Sequence, residues 1–115
     1  MSTVTEVREK RRSPRATIAG ELRYRKIPIT MKGPGRALIQ NVSQGGFKFR
    51  SDELLGRSAN LLAELHFPGA NPIRSLATVA WVKSLPEDNG YEIGGTLVDP
   101  TRETLSALEN IIRGH

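Results

Sequence analysis

From residue 16 onward, apolar and polar side chains alternate in short runs, and glycine or proline closes off most of them. A strand sends successive side chains to opposite faces, so a period of two marks a surface with one dry side and one wet side. In the first run Ala16, Ile18, Leu22 and Tyr24 share one face, and Thr17, Glu21, Arg23 and Arg25 the other. Gly33-Pro34-Gly35 is a turn, after which residues 36–43 read as a second strand. Phe47 and Phe49 alternate with Lys48 and Arg50 in a third, and Leu61, Ala63, Leu65 and Phe67 with Leu62, Glu64 and His66 in a fourth. Residues 76–83 are rich in β-formers and apolar on both faces, which predicts a central strand. Beyond the loop at 86–90, Tyr91, Ile93 and Leu97 form a sixth. The period then changes. Asp99 is placed to cap a helix with Pro100 at its first position, and Leu105, Leu108, Ile111 and Ile112 fall on one helical face. Six short strands with tight turns and one closing helix predict an antiparallel barrel or sandwich of a single domain.

Several function classes drop out early. There is no cysteine, so disulfides, thiolate metal sites and cysteine nucleophiles are excluded, and a reducing compartment is suited. No apolar run is long enough to span a bilayer. Residues 1–10 lack the apolar stretch of a secretory leader, so a cytoplasmic location is expected. The two histidines, His66 and His115, belong to no metal-binding motif, and no nucleophile elbow or phosphate-binding loop is present. The paired carboxylates at 52–53 and 87–88 fall in turns, where solvated charge is the ordinary explanation. We therefore expect no enzyme, no metal and no cofactor.

Charge is more informative. Lys and Arg number 17 against 12 acidic residues, a formal net charge of +5. The excess is concentrated in Arg8, Lys10, Arg11, Arg12 and Arg15, opposed only by Glu9. Arginine presents a planar fork of donors that matches phosphate oxygens and the O6/N7 edge of guanine. Taken alone, the cluster reads better as a solvated basic tail or a non-specific nucleic-acid arm. A second cluster, Asn41-Val42-Ser43-Gln44-Gly45-Gly46, follows one hairpin later. Asn41 and Ser43 are two residues apart, so on a strand they leave the same face. The two glycines let the backbone turn and let a ligand approach it. Alone, this too is an ordinary turn.

The two clusters together, in this order, resemble the PilZ family. That family carries RxxxR near the N-terminus, matched by Arg11 and Arg15, and [D/N]xSxxG about one hairpin later, matched by Asn41, Ser43 and Gly46. Residues 91–99 resemble the family's closing strand, and the terminal helix is also expected. The resemblance implies an all-β fold: a six-stranded antiparallel β-barrel with a short C-terminal α-helix and a flexible basic N-terminal arm. Residues 1–10 would be a flexible tail and 11–115 the domain. It also implies a receptor for cyclic di-GMP. Arg11 and Arg15 would hold guanine and phosphate, with Arg12 as a further contact. Asn41, Ser43 and Gly46 would meet the ligand from the barrel surface, with Gly45 beside them through its backbone. Family members take one ligand or an intercalated pair. Lys10, just before RxxxR, tilts the expectation towards a pair. Ordering of the arm would then signal to a downstream protein partner that the sequence does not name.

Two rivals remain. One is a degenerate PilZ-type domain that binds protein, though such relatives usually lack the motif residues kept here. The other is a small basic nucleic-acid-binding barrel. Aromatic content is only 5%, whereas single-strand binders use exposed aromatic platforms, and Phe47, Phe49 and Trp81 are expected in the core. We thus expect no nucleic-acid partner, no membrane span, and a monomer or weak dimer.

Overall fold

The structure, a computed structural model, describes residues 17–29 and 33–114. Lys10, Arg11, Arg12, Arg15, Ala16 and His115 lie outside the described residues, and so does the expected basic arm. The described chain forms β1 (Gly20–Ile27), β2 (Gly35–Ser43), β3 (Gly46–Ser51), β4 (Asn60–His66), β5 (Ile73–Leu85) and β6 (Gly90–Val98). A single 3-10 turn, Pro86–Asp88, joins β5 to β6, and α1 (Arg102–Arg113) follows. The strands close into a barrel in the order β1-β2-β3-β6-β5-β4, with every ladder antiparallel. The expected barrel with its closing helix is what is found.

Closure turns the alternation into an inside and an outside. Leu22, Ile39, Phe49, Leu61, Leu65, Val79 and Ile93 fill the interior and are all but inaccessible to water. Phe47 and Phe49 stack on one another there, with ring centroids 5.5 Å apart. The helix closes the barrel against β2 and β5, with Leu108 fully buried and Ala107, Ile111 and Ile112 packed on the core.

Four local expectations are corrected. The first strand begins at Gly20 and not at 16, although Ile18 is still buried. The fifth is longer, and it is dry on one face only: a closed barrel has a single interior, so Leu76 and Trp81 stand 45% and 39% exposed. The helix cap is Thr101, whose hydroxyl accepts from the Thr104 N–H at 3.0 Å. Asp99 instead turns the chain, with φ 45°, and the helix begins after Pro100. Leu105 is only partly buried, and Thr104 takes its place on the packed face. The Thr104 hydroxyl donates to the Arg74 carbonyl at 3.2 Å and so ties the helix to β5. No helix among the described residues is long and apolar enough to cross a membrane.

Candidate functional site

Strict alternation in β2 would give Ile39, Asn41 and Ser43 one common face. Ile39 points into the core, so both polar side chains would be buried with it. An irregularity between Ile39 and Asn41 prevents this. The ladder to β3 pairs Ile39 with Phe49 and Asn41 with Lys48, leaving Gln40 as one extra residue. A bulge of this kind inverts the facing of everything beyond it. Val42 is then buried, and Asn41 and Ser43 lie on the partly exposed side.

β5 repeats the device. Its ladder with β6 shifts between Val79 and Trp81, with Ala80 as the extra residue. Val79 is buried, and without the shift Trp81 would share its face. With the shift, the indole comes outside. Trp81 was expected in the core and is not there, whereas Phe47 and Phe49 are. The signal that misled is its apolar character, and the one that was missing is the bulge.

These two irregularities assemble one row across four strands. Asn41 pairs with Lys48, Lys48 with Gly94, and Gly94 with Trp81. A Cβ on Gly94 would run into the indole Nε1 of Trp81, so glycine there is what lets the ring lie flat against the sheet. Beside the row is a shallow depression of about 220 Å³ lined by Ser43, Gly45, Gly46, Lys48, Trp81 and Thr96, among others. Enclosed small-molecule pockets run to ~300–1,000 Å³. This depression is therefore a platform for one flat group, and a larger ligand must be covered from above.

The motif residues divide by role. The Ser43 hydroxyl makes only a long contact, 3.5 Å, to the Gly46 carbonyl. Gly45 has open space where a Cβ would stand, so its bare backbone faces the depression. Gly46 is required by the fold: a Cβ would strike the Gly95 carbonyl oxygen across the β3–β6 ladder. Neither glycine adopts the left-handed backbone; among the described glycines only Gly69 does, at φ 75°. The expected conformational reason for the pair is thus replaced by space at one position and close approach at the other. Asn41 lies in the row but does not line the depression.

Lys48 belongs to neither sequence motif. Alternation puts it outside, yet nothing local says that it meets this site. Its ammonium lies 3.6 Å from the Glu92 carboxylate, on the neighbouring strand. Among the described residues no group of three metal-ligating side chains is gathered anywhere.

Comparison with known proteins follows the same lines. The PilZ domain of YcgR from Escherichia coli, solved with c-di-GMP, superposes with a TM-score of 0.75 at 11% identity, covering 91% of this chain and 90% of that one. The MrkH–c-di-GMP complex of K. pneumoniae gives a TM-score of 0.75 at 20% identity over 90% of this chain and 51% of MrkH. The Bacillus subtilis inhibitor of motility MotI gives 0.74 at 17% over 91% of this chain and 50% of MotI. The chain thus spans about half the length of MotI and MrkH. A search of curated proteins finds no match. The family model for the PilZ domain matches residues 9–114, and the chain belongs to that family.

Proposed function

We propose that this chain is a receptor that binds cyclic di-GMP across the Asn41–Lys48–Gly94–Trp81 row. The carrying observation is that an exposed indole, a serine hydroxyl and bare glycine backbone border one depression. An aromatic face stacks on a base at roughly 1–3 kcal/mol. Ser43 and Asn41 offer hydrogen bonds to base edges and ribose. Among the described residues the outer side of the platform is open, and Arg11, Arg12, Arg15 and Lys10 would cover it, pairing with the ligand's two phosphates and its guanine edges. YcgR and MrkH, which share the fold, are solved as c-di-GMP complexes.

Ordering the basic segment on the ligand is the signalling step in this reading. It costs entropy and offsets part of the contact energy. In return it creates a surface that exists only in the bound state, to which a downstream protein would bind. Binding, and not bond-making, is the chemistry assigned to the site in this reading.

Calorimetric titration with cyclic di-GMP, beside GTP and cyclic di-AMP, tests the proposal. Saturable binding of cyclic di-GMP alone is expected, weakened about 100-fold or more in Arg15→Ala, because one arginine making two charge-assisted bonds contributes roughly 3 kcal/mol or more. Absence of binding at high ligand concentration overturns it.

A further inference from the structure

Lys48 occupies a singular place in the row. It sits between Asn41 and Gly94 in register, it lines the depression beside Trp81, and it is held by a carboxylate. The two side chains are 29% and 23% exposed, so the pair is shielded from water more than an ordinary surface pair. Glu92 has other cations at hand. It faces Arg50 on β3 and Lys83 on β5 in register, and all three alternate to the outside of their strands; Arg50 is already paired with Asp88 at 3.7 Å, which leaves Lys83 as the nearer alternative in register. Lys83 is thus placed to take up the carboxylate when Lys48 departs.

We propose that Lys48 is a ligand-binding residue and that Glu92 is its latch. Without ligand, Glu92 holds the ammonium against β6. An anion settling beside Trp81 offers phosphate oxygens to the same ammonium. Lys48 then exchanges one anionic partner for another, while Glu92 falls back on Lys83. The exchange makes affinity the difference between two ion pairs. It also sets a threshold: a ligand must present a phosphate within reach of Lys48 while its base lies on the indole. Molecules that stack without such a phosphate leave the latch closed and gain nothing from Lys48. This inference rests on the cyclic di-GMP reading and adds two residues that neither sequence motif contains.

The experiment is a double-mutant cycle by calorimetry with cyclic di-GMP, using the wild type, Lys48→Met, Glu92→Gln and the double variant. Thermal unfolding of each confirms the fold. Lys48→Met is expected to weaken binding about tenfold, the lower end for one charge-assisted bond. Glu92→Gln is expected to tighten binding about three- to tenfold. The cost of Lys48→Met should be larger in the Glu92→Gln background, where the ammonium starts free. Lys48→Met binding within twofold of the wild type overturns the proposal. So does a Glu92→Gln gain of equal size with and without Lys48, which would reduce Glu92 to a background charge. No binding by the wild type overturns the ligand reading, and the latch with it. Wild-type binding with an unchanged Lys48→Met overturns the latch alone.

Discussion

The indole of Trp81 occupies the space that a side chain at position 94 would need. Gly94 faces it across the β5–β6 ladder, and even one methyl group there would meet the ring nitrogen. The platform is therefore a property of two residues, one that supplies the ring and one that supplies nothing.

Replacing Gly94 by Ala should lift or rotate the indole. Forcing an extra methyl into a packed contact costs about 1–3 kcal/mol. Lower thermal stability and a changed tryptophan emission are expected, together with weaker cyclic di-GMP binding. Unchanged emission would show that the ring does not rest where Gly94 leaves room.

Trp81→Ala separates the site from the core. Its ring is partly in water, so the barrel should stay folded by circular dichroism while affinity falls roughly 5- to 100-fold, the worth of one stacked base. Phe47→Ala empties interior space instead and should cost about 3–5 kcal/mol of stability. A Trp81 variant that binds as the wild type does would remove the indole from the site.

The two motif glycines should behave differently under the same substitution. Gly46→Ala pushes a methyl into the Gly95 carbonyl, and a loss of about 1–3 kcal/mol in urea unfolding is expected. Gly45→Ala meets open space and should stay within about 0.5 kcal/mol of the wild type. If Gly45→Ala nonetheless weakens the ligand, a Cβ there obstructs the approach to the backbone.

A pH dependence sits at the far end of β1. The Tyr24 hydroxyl donates to Glu53 Oε1 at 2.6 Å, and Lys26 Nζ donates to Glu53 Oε2 at the same distance. Burial first, and then the bond to Glu53, pushes the phenol up from 10.0 to about 12. The unfolded chain gives up this proton near pH 10, while the folded chain keeps it to about 12. Between those values the folded state binds more protons, so stability is full below pH 10 and declines as pH rises towards 12. The loss should reach about 2–3 kcal/mol, since each pH unit of displacement is worth ~1.36 kcal/mol. Tyr24→Phe should flatten this part of the stability profile, as measured by urea unfolding between pH 9 and 12.

Most of the fold was legible because its cause is local. A period of two from residue 20 onward, broken by turns, leaves few architectures, and the inward residues Leu22, Leu61, Leu65, Phe47 and Phe49 follow from it directly. The site was legible only in part, because its cause is a departure from that period. Asn41 and Ser43 were placed on one common face, which is correct. That this face is the outer one depends on the extra residue Gln40, which nothing in the local pattern announces. Trp81 went to the wrong side for the same reason, one residue after Ala80. Lys48 and Glu92 lie 44 residues apart in sequence and meet only through the β3–β6 ladder. The helix start slipped by two residues because Asp and Thr are both good caps, and only the geometry at Thr101 decides between them.

Closure of the barrel has a consequence for whatever binds this domain. Each of the six strands already has a neighbour on both sides. An extended peptide joins a sheet by pairing with an unoccupied strand edge, and among the described residues little edge is left: β5 beyond Val79 runs past its β4 partner, and β1 beyond Tyr24 runs past β2. A protein that reads this domain therefore has those two short edges, the side chains on the outer wall and the loops to work with.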